Sequence, residues 1–221
     1  ITKARDVSAK LIYFSNPNNP MGSWHDAETV SRMIEAVPEG CLLLLDEAYV
    51  ELAPDGTSPA LDADEQRVIR MRTFSKAYGM AGARIGYGMG SPDMVSAFNK
   101  VRNHFGMNRA AQAGALAALA DDEWLDHVRN EIMAGRERIA DIAQSQGLTP
   151  IPSATNFVAI DCGSDGAFAK AVLDNLISLG LFVRMPFSVP QNRCIRVSCG
   201  TAADLDAFEA ALPKALEAAR R

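Results

Sequence analysis

Five consecutive apolar residues, Cys41 to Leu45, run straight into Asp46-Glu47-Ala48-Tyr49. A short continuous apolar run of this length reads as a strand buried on both faces, the usual state of a central strand in a parallel sheet. Charge then appears at the strand's C-terminal end, where open α/β sheets place their ligands. Two further apolar runs end in the same manner. Ala9 to Phe14 stops at Ser15-Asn16-Pro17-Asn18-Asn19-Pro20-Met21-Gly22, whose two Asn-Pro pairs and Gly continue neither a strand nor a helix. Val68 to Met71 leads into Thr73-Phe74-Ser75-Lys76-Ala77-Tyr78-Gly79, with Arg84 eight residues beyond Lys76. Three strand ends of one α/β sheet therefore carry an amide, an acid with a phenol, and an amine.

The remaining pattern supports this class. A helix is expected over Asp26–Val37, capped by Ser23 or Asp26, with Val30, Met33, Ile34 and Val37 on one face. Arg84 to Met89 reads as a fourth short strand. Pro92 opens a helix to Val101, a second runs from Ala110 to Ala120, and a long amphipathic one covers Asp121–Gln146, stopped by Gly147. A smaller unit follows. It has strands at Asn156–Ile160, Leu181–Arg184 and Cys194–Ser198, a helix at Ala167–Leu179, and a last helix begun by Thr201 with Asp204. The expected division is residues 1–120 as part of a large domain, 121–147 as a bridging helix, and 148–221 as a small C-terminal α/β domain.

With 48% hydrophobic and 22% charged residues the chain has an ordinary globular composition. A net charge of −5 without a basic cluster argues against nucleic acid as a partner, and no apolar run has bilayer-spanning length. Cys41, Cys162, Cys194 and Cys199 form no CxxC pair and read as small buried hydrophobes in a reducing compartment. With the scattered histidines they give no metal-ligand pattern, so no metal is expected and the expected location is cytoplasmic. The chain begins at Ile1 without a Met and enters a strand almost at once, which suggests that a preceding portion is missing.

The chemistry of the strand ends suits one cofactor. A Lys amine is nucleophilic when desolvated or set near positive charge. Hydroxyls, turn amides and an Arg make a phosphate cradle. Pyridoxal 5'-phosphate has an aldehyde for Lys76 and a phosphate for Thr73, Ser75 and Arg84. Its ring nitrogen stays protonated beside a carboxylate, a role that fits Asp46. Its ring oxygen wants donors, and Tyr49 and Asn19 supply them. Each residue has a plainer reading alone: Asp46 as a cap, the Asn-Pro segment as a turn, Lys76 as a surface lysine after a Gly-rich bend.

Together, Asn-Pro-Asn-Asn-Pro-Met-Gly, Asp-Glu-Ala-Tyr and Thr-Phe-Ser-Lys, with Arg84 beyond, resemble the class I/II aminotransferases of pyridoxal-phosphate fold type I. With Asn156-Phe-Val and Cys194-Ile-Arg-Val-Ser-Cys-Gly-Thr they are most similar to histidinol-phosphate aminotransferase and its relatives. The resemblance covers essentially the whole chain. It implies an α/β fold with a mostly parallel sheet in a large domain and a small C-terminal domain, a homodimer, and Lys76, Asp46 and Tyr49 as catalytic residues. It implies Arg196, Arg184 and Asn156 as substrate-binding residues, Arg196 gripping the substrate's acidic group. The implied reaction moves an amino group from a small-molecule donor, histidinol phosphate or an aromatic amino acid, to a 2-oxo acid acceptor. A decarboxylase or lyase of the same fold, and a regulatory domain that senses the cofactor, are the alternatives. Two departures stand out. Met21 occupies a position where the family usually has Thr. Met185-Pro186-Phe187-Ser188-Val189-Pro190 is apolar for a phosphate-bearing substrate and leaves room for aromatic or aliphatic amino acids. The family's N-terminal portion, with more of its phosphate site and a ring-stacking aromatic, has no counterpart here.

Overall fold

A computed structural model describes all residues, 1–221, as two compact units. Unit 1 comprises Ile1–Pro17 and Trp24–Arg129, and unit 2 comprises Asn18–Ser23 and Asn130–Arg221.

Unit 1 is built on a four-stranded sheet of β1 (Leu11–Ser15), β2 (Leu42–Asp46), β3 (Val68–Thr73) and β4 (Gly86–Met89), in that spatial order. The first three strands are parallel and β4 is antiparallel, so the sheet is mostly parallel as the apolar runs predict. Its helices are α1 (Thr2–Asp6), α2 (Ala27–Glu35), α3 (Pro92–Phe98), α4 (Arg109–Leu119) and the start of α5 (Asp122–Ser145). Asp26 is the cap of α2, its side chain accepting a hydrogen bond from the Thr29 amide. Val30 of α2 and Val37 beyond it pack with Cys41, Leu43, Leu45 and Val68 in a buried core. Leu43 and Leu45 are fully buried, each contributing roughly 1.5–3 kcal/mol by leaving water.

Two expectations differ here. The β2 run is buried on one face only: Leu43 and Leu45 are enclosed, whereas Leu42 is 43% exposed. Its register partner Leu11 and the next residue but one, Tyr13, lie open on the same side. Helix α2 packs on one face of the sheet, while on the other Val95 and Phe98 of α3 share a cavity with Ile69 and Met71 of β3 and Gly88 of β4. The chain also starts with a helix, α1, instead of running directly into β1.

Unit 2 carries a three-stranded antiparallel sheet of β5 (Thr149–Pro150), β6 (Phe157–Asp161) and β7 (Cys194–Ser198), with β6 central. It is covered by the end of α5, by α6 (Gly166–Ser178) and by α7 (Ala202–Ala219). Asp165 caps α6, and Thr201 with Asp204 forms the capping box expected at the start of α7. Ile139, Ile160, Leu176, Ile195 and Leu212 are fully buried in one core. The strand predicted at Leu181–Arg184 reduces to one bridge, Arg184 to Arg196. The next antiparallel pair along the ladder would need the amide of residue 186, and Pro186 has none.

Candidate active site

In unit 1 the ends of β2 and β3 bring together the acid, the phenol and the amine. Asp46 closes β2 and faces the open side of the sheet, in register with Ser15 and Met71. Its Oδ1 accepts the Ala48 amide at 3.0 Å, and its Oδ2 accepts a hydrogen bond from the Tyr13 hydroxyl. Tyr13 stands two residues before the end of β1, and the sequence reading missed it. An exposed aromatic on a strand beside the acid was the only available signal. Partial burial, followed by the neighbouring Asp46 carboxylate, pushes the Tyr13 phenol up to about 12, so it remains a donor at neutral pH.

Tyr49 lies three residues past Asp46, in the short turn that follows β2, and is buried. The Lys76 ammonium sits over its ring, 5.2 Å from the centroid, a cation–π contact. Lys76 follows β3 by three residues in a tight turn. The Ser75 amide donates to Thr73 Oγ1 at 3.0 Å, and the Gly79 amide to the Lys76 carbonyl at 2.9 Å. Gly79 has φ +68°, which a glycine adopts without strain. Arg84 has φ +53°, uncommon for a side-chain-bearing residue, and is exposed with one nitrogen on the Ala81 carbonyl at 2.8 Å. Thr73, Ser75 and Lys76 lie in one turn, and the Phe74 amide donating to the Ile85 carbonyl at 3.2 Å brings the backbone beside Arg84 next to it.

Of the three asparagines in the Asn-Pro segment, two are structural. Asn16 is buried in unit 1, donating to the carbonyls of His25 at 3.1 Å and Thr57 at 3.4 Å and accepting the His25 amide at 2.8 Å. Asn18 closes the bend by accepting the Met21 amide at 3.1 Å. Asn19 is exposed, and in unit 2 its Oδ1 accepts from Arg196 Nη1. The Arg196 guanidinium also lies 4.6 Å above the Phe157 ring. Arg184 and Arg196 exchange main-chain hydrogen bonds of 3.1 and 2.6 Å, which puts their side chains on one face. With Asn19, Phe182, Met185 and Phe187 they line a cavity of about 760 Å³. Asn156 precedes β6, half-buried, its carbonyl accepting the Cys199 amide at 2.9 Å.

Residues 1–212 match the family described as Aminotransferase class I and II. The chain belongs to that family. A histidinol-phosphate aminotransferase of Pseudomonas fluorescens is 37% identical over 216 residues, an alignment covering 96% of this chain and 58% of the relative. The crystal structure of histidinol-phosphate aminotransferase from Sinorhizobium meliloti, in complex with pyridoxal-5'-phosphate, superimposes with a TM-score of 0.96 at 51% identity, over 98% of this chain and 60% of that one. The fold is accordingly that of the pyridoxal-phosphate enzymes of fold type I. An L-threonine-O-3-phosphate decarboxylase of Porphyromonas gingivalis aligns at a TM-score of 0.75 and 22% identity, covering 96% of this chain and 65% of that one, a likeness of fold alone. The chain spans about 58% of the length of the curated relatives it matches.

Proposed function

We propose that the complete protein is a pyridoxal-phosphate-dependent aminotransferase of the histidinol-phosphate type, moving an amino group from histidinol phosphate or an aromatic amino acid to a 2-oxo acid. The observation that carries the reading is the Lys76 ammonium above the ring of Tyr49, three residues beyond Asp46. The donor set of this chain fits the cofactor. Lys76 offers the amine, Asp46 a carboxylate already ordered by two donors, and the Thr73–Arg84 turn hydroxyls and a guanidinium for a phosphate. Tyr49, and Asn19 at the Asn-Pro bend, are assigned to the ring oxygen.

When bound, pyridoxal phosphate supplies an aldehyde that captures amines and a protonated ring that withdraws electrons from the adjoining carbon. Asp46 keeps the ring nitrogen protonated by holding a negative charge beside it. The Lys76 amine would take and return the proton of the substrate α-carbon. Arg196, with Arg184 on the same face, grips the acidic group of each substrate, and Asn156 is assigned to the same task. Two neighbouring guanidinia suit a phosphate or carboxylate dianion, while Phe182, Met185 and Phe187 suit an apolar or aromatic body.

We extend the proposal to a homodimer. Val101 and Phe105 of unit 1 are 83% and 95% exposed, apolar side chains that a second copy would cover. No helix is long and apolar enough to cross a membrane, and all four cysteines are free; a cytoplasmic location is the reading they support.

The test uses the complete protein. The wild type is expected to show the visible absorption band of a Lys-bound cofactor, which Lys76→Ala abolishes; an unchanged band in the variant rejects the assignment. Amino transfer to 2-oxoglutarate, measured with histidinol phosphate, phenylalanine, tyrosine and leucine, separates this reading from a decarboxylase, which would release carbon dioxide without needing the 2-oxo acid.

A further inference from the structure

Asp46 and Glu47 are neighbours in sequence and so point to opposite sides of the sheet. Asp46 faces the open side; Glu47 faces the enclosed one, continuing the stripe of Leu43 and Leu45. It is 2% exposed, and its carboxylate is saturated. Oε1 accepts from Ser58 Oγ at 2.7 Å and from Arg70 Nη2 at 2.8 Å. Oε2 accepts from Arg70 Nε at 3.0 Å and from Arg72 Nε at 3.1 Å. Its amide donates to the Met71 carbonyl at 2.9 Å, one step beyond the last β2–β3 register pair. Arg70, 5% exposed, also donates to the Pro59 carbonyl at 2.9 Å, and both arginines reach Ser58 Oγ. Arg72 Nη1 stands 3.8 Å from Glu51, a buried carboxylate with no hydrogen-bond partner.

A buried ion cluster of this kind is a poor source of stability, because apolar residues of the same volume usually do as well or better. What forked, directional hydrogen bonds add is a defined separation and angle between the two segments they join. Glu47 lies between Asp46 and Tyr49, and Arg72 is the residue before Thr73. The forked Arg70–Glu47 contact and the Arg72 bond therefore join the turn that carries the acid and the phenol to the turn that carries the amine.

We infer that Glu47 and Arg72 are positioning residues: their buried contact, braced by Arg70 and Ser58, holds the Asp46–Tyr49 turn and the Thr73–Lys76 turn in the mutual arrangement that the reaction needs. The inference rests on the function proposed above. Neither residue touches a reacting atom; each acts through its chain neighbour. Misplacement of a reacting group by about an ångström costs on the order of a hundredfold in rate, so a linkage between two such turns has a measurable value.

The experiment uses the complete protein loaded with cofactor and two substitutions. Arg72→Met removes one arm of the linkage at the less buried end and leaves the Glu47–Arg70 fork in place; Arg72→Lys keeps the charge without the fork. The expected result for Arg72→Met is a shifted pH midpoint of the Lys-bound absorption band and a kcat lowered roughly ten- to a hundredfold with KM changed less than about threefold. Arg72→Lys should fall between it and the wild type. Hydrogen exchange supplies a readout independent of the cofactor: amides of residues 46–50 and 73–79 should exchange faster in Arg72→Met, while those of α6 and α7 stay as they were. Wild-type band titration and kcat in a folded Arg72→Met protein would overturn the inference. So would unchanged exchange at both turns, which decides the matter should the Met variant lose its cofactor. Absence of a Lys-bound band in the wild type would instead count against the proposed function, and the exchange comparison would still judge the linkage.

Discussion

The Tyr13 hydroxyl donates a hydrogen bond to Oδ2 of Asp46, the last residue of the neighbouring parallel strand. Together with the Ala48 amide on Oδ1 it orients the carboxylate. Tyr13→Phe removes one donor. In the complete protein the substitution should weaken cofactor binding several-fold, the equivalent of about 1 kcal/mol for a bond to a charged acceptor whose aromatic partner is largely exposed. Absorbance titration of the apoprotein measures this, and an unchanged dissociation constant contradicts the role. The same pair makes a pH prediction. The Tyr13 phenol is raised above its unfolded value of about 10, so its contribution is complete below about pH 10 and is lost as pH climbs through about 12. Phenolate absorbance should show two tyrosines of this chain titrating late, Tyr13 and the Tyr78 phenol that burial also raises to about 12, and Tyr13→Phe should delete one of them.

Arg196 is held from three sides: by the Phe157 ring beneath its guanidinium, by Asn19, and by the backbone pairing with Arg184. Such a pre-ordered fork recognises a planar or tetrahedral anion better than a flexible ammonium does. Arg196→Lys should raise KM for 2-oxo acid and for amino donor together, by roughly ten- to a hundredfold for the loss of a charge-assisted pair of bonds. Steady-state kinetics of the complete enzyme provide the check. A change confined to kcat would mean that Arg196 does not bind the acidic group.

Much of this arrangement was legible before any coordinates. Cys41–Leu45, Val68–Met71 and Ala9–Phe14 end abruptly in polar residues, and those breaks locate β2, β3 and β1 to within about two residues. Helix starts at Asp26 and Thr201 follow from side-chain capping, a strictly local effect. What stayed hidden is what depends on distant partners. The sequence reading gave Glu47, Arg70 and Arg72 no role, because nothing local announces that they neutralise one another on the enclosed face. Tyr13 was hidden for the same reason: its partner lies 33 positions away. At Leu181–Arg184 the strand-like composition was real, but pairing is limited by the amide that Pro186 lacks.

Glu51 gives a stability prediction with a definite sign. Burial outweighs the pull of Arg72 and raises its carboxyl above the ordinary range. The folded state therefore holds this proton more tightly than the unfolded one. Its stabilising share is complete below the unfolded value of about 4.3 and is lost as pH rises through the folded value. Glu51→Gln mimics the protonated form. The variant should match the wild type in acid and exceed it at neutral pH, with a melting temperature higher by a few degrees. Melting curves of the complete protein across this range are decisive. A variant less stable than the wild type at neutral pH would show that the ionised carboxylate is the favoured form.

Gly22 closes the Asn-Pro bend with φ +80°, its amide on the Asn18 carbonyl at 2.9 Å and its carbonyl accepting the Ala154 amide at 2.9 Å. An added Cβ would stand 2.7 Å from Ser153 Cβ and run into the Ser153 hydroxyl, which is itself committed to the Phe157 carbonyl at 2.6 Å. Gly22→Ala therefore meets two penalties: about 1–2 kcal/mol for a left-handed backbone and about 1–3 kcal/mol for overpacking against a neighbour that cannot turn away. Because Asn19 sits within this bend and contacts Arg196, the strain should reach Arg196, the arginine proposed to bind the acidic group, as well as the fold. The expected outcome is a lower denaturation midpoint together with a raised KM for acidic substrates. Gly22→Ala combined with Ser153→Gly removes both the hydroxyl and the Cβ contact but keeps the backbone strain, and should restore only part of both losses. Full recovery in the double variant would assign the whole effect to the Ser153 contact.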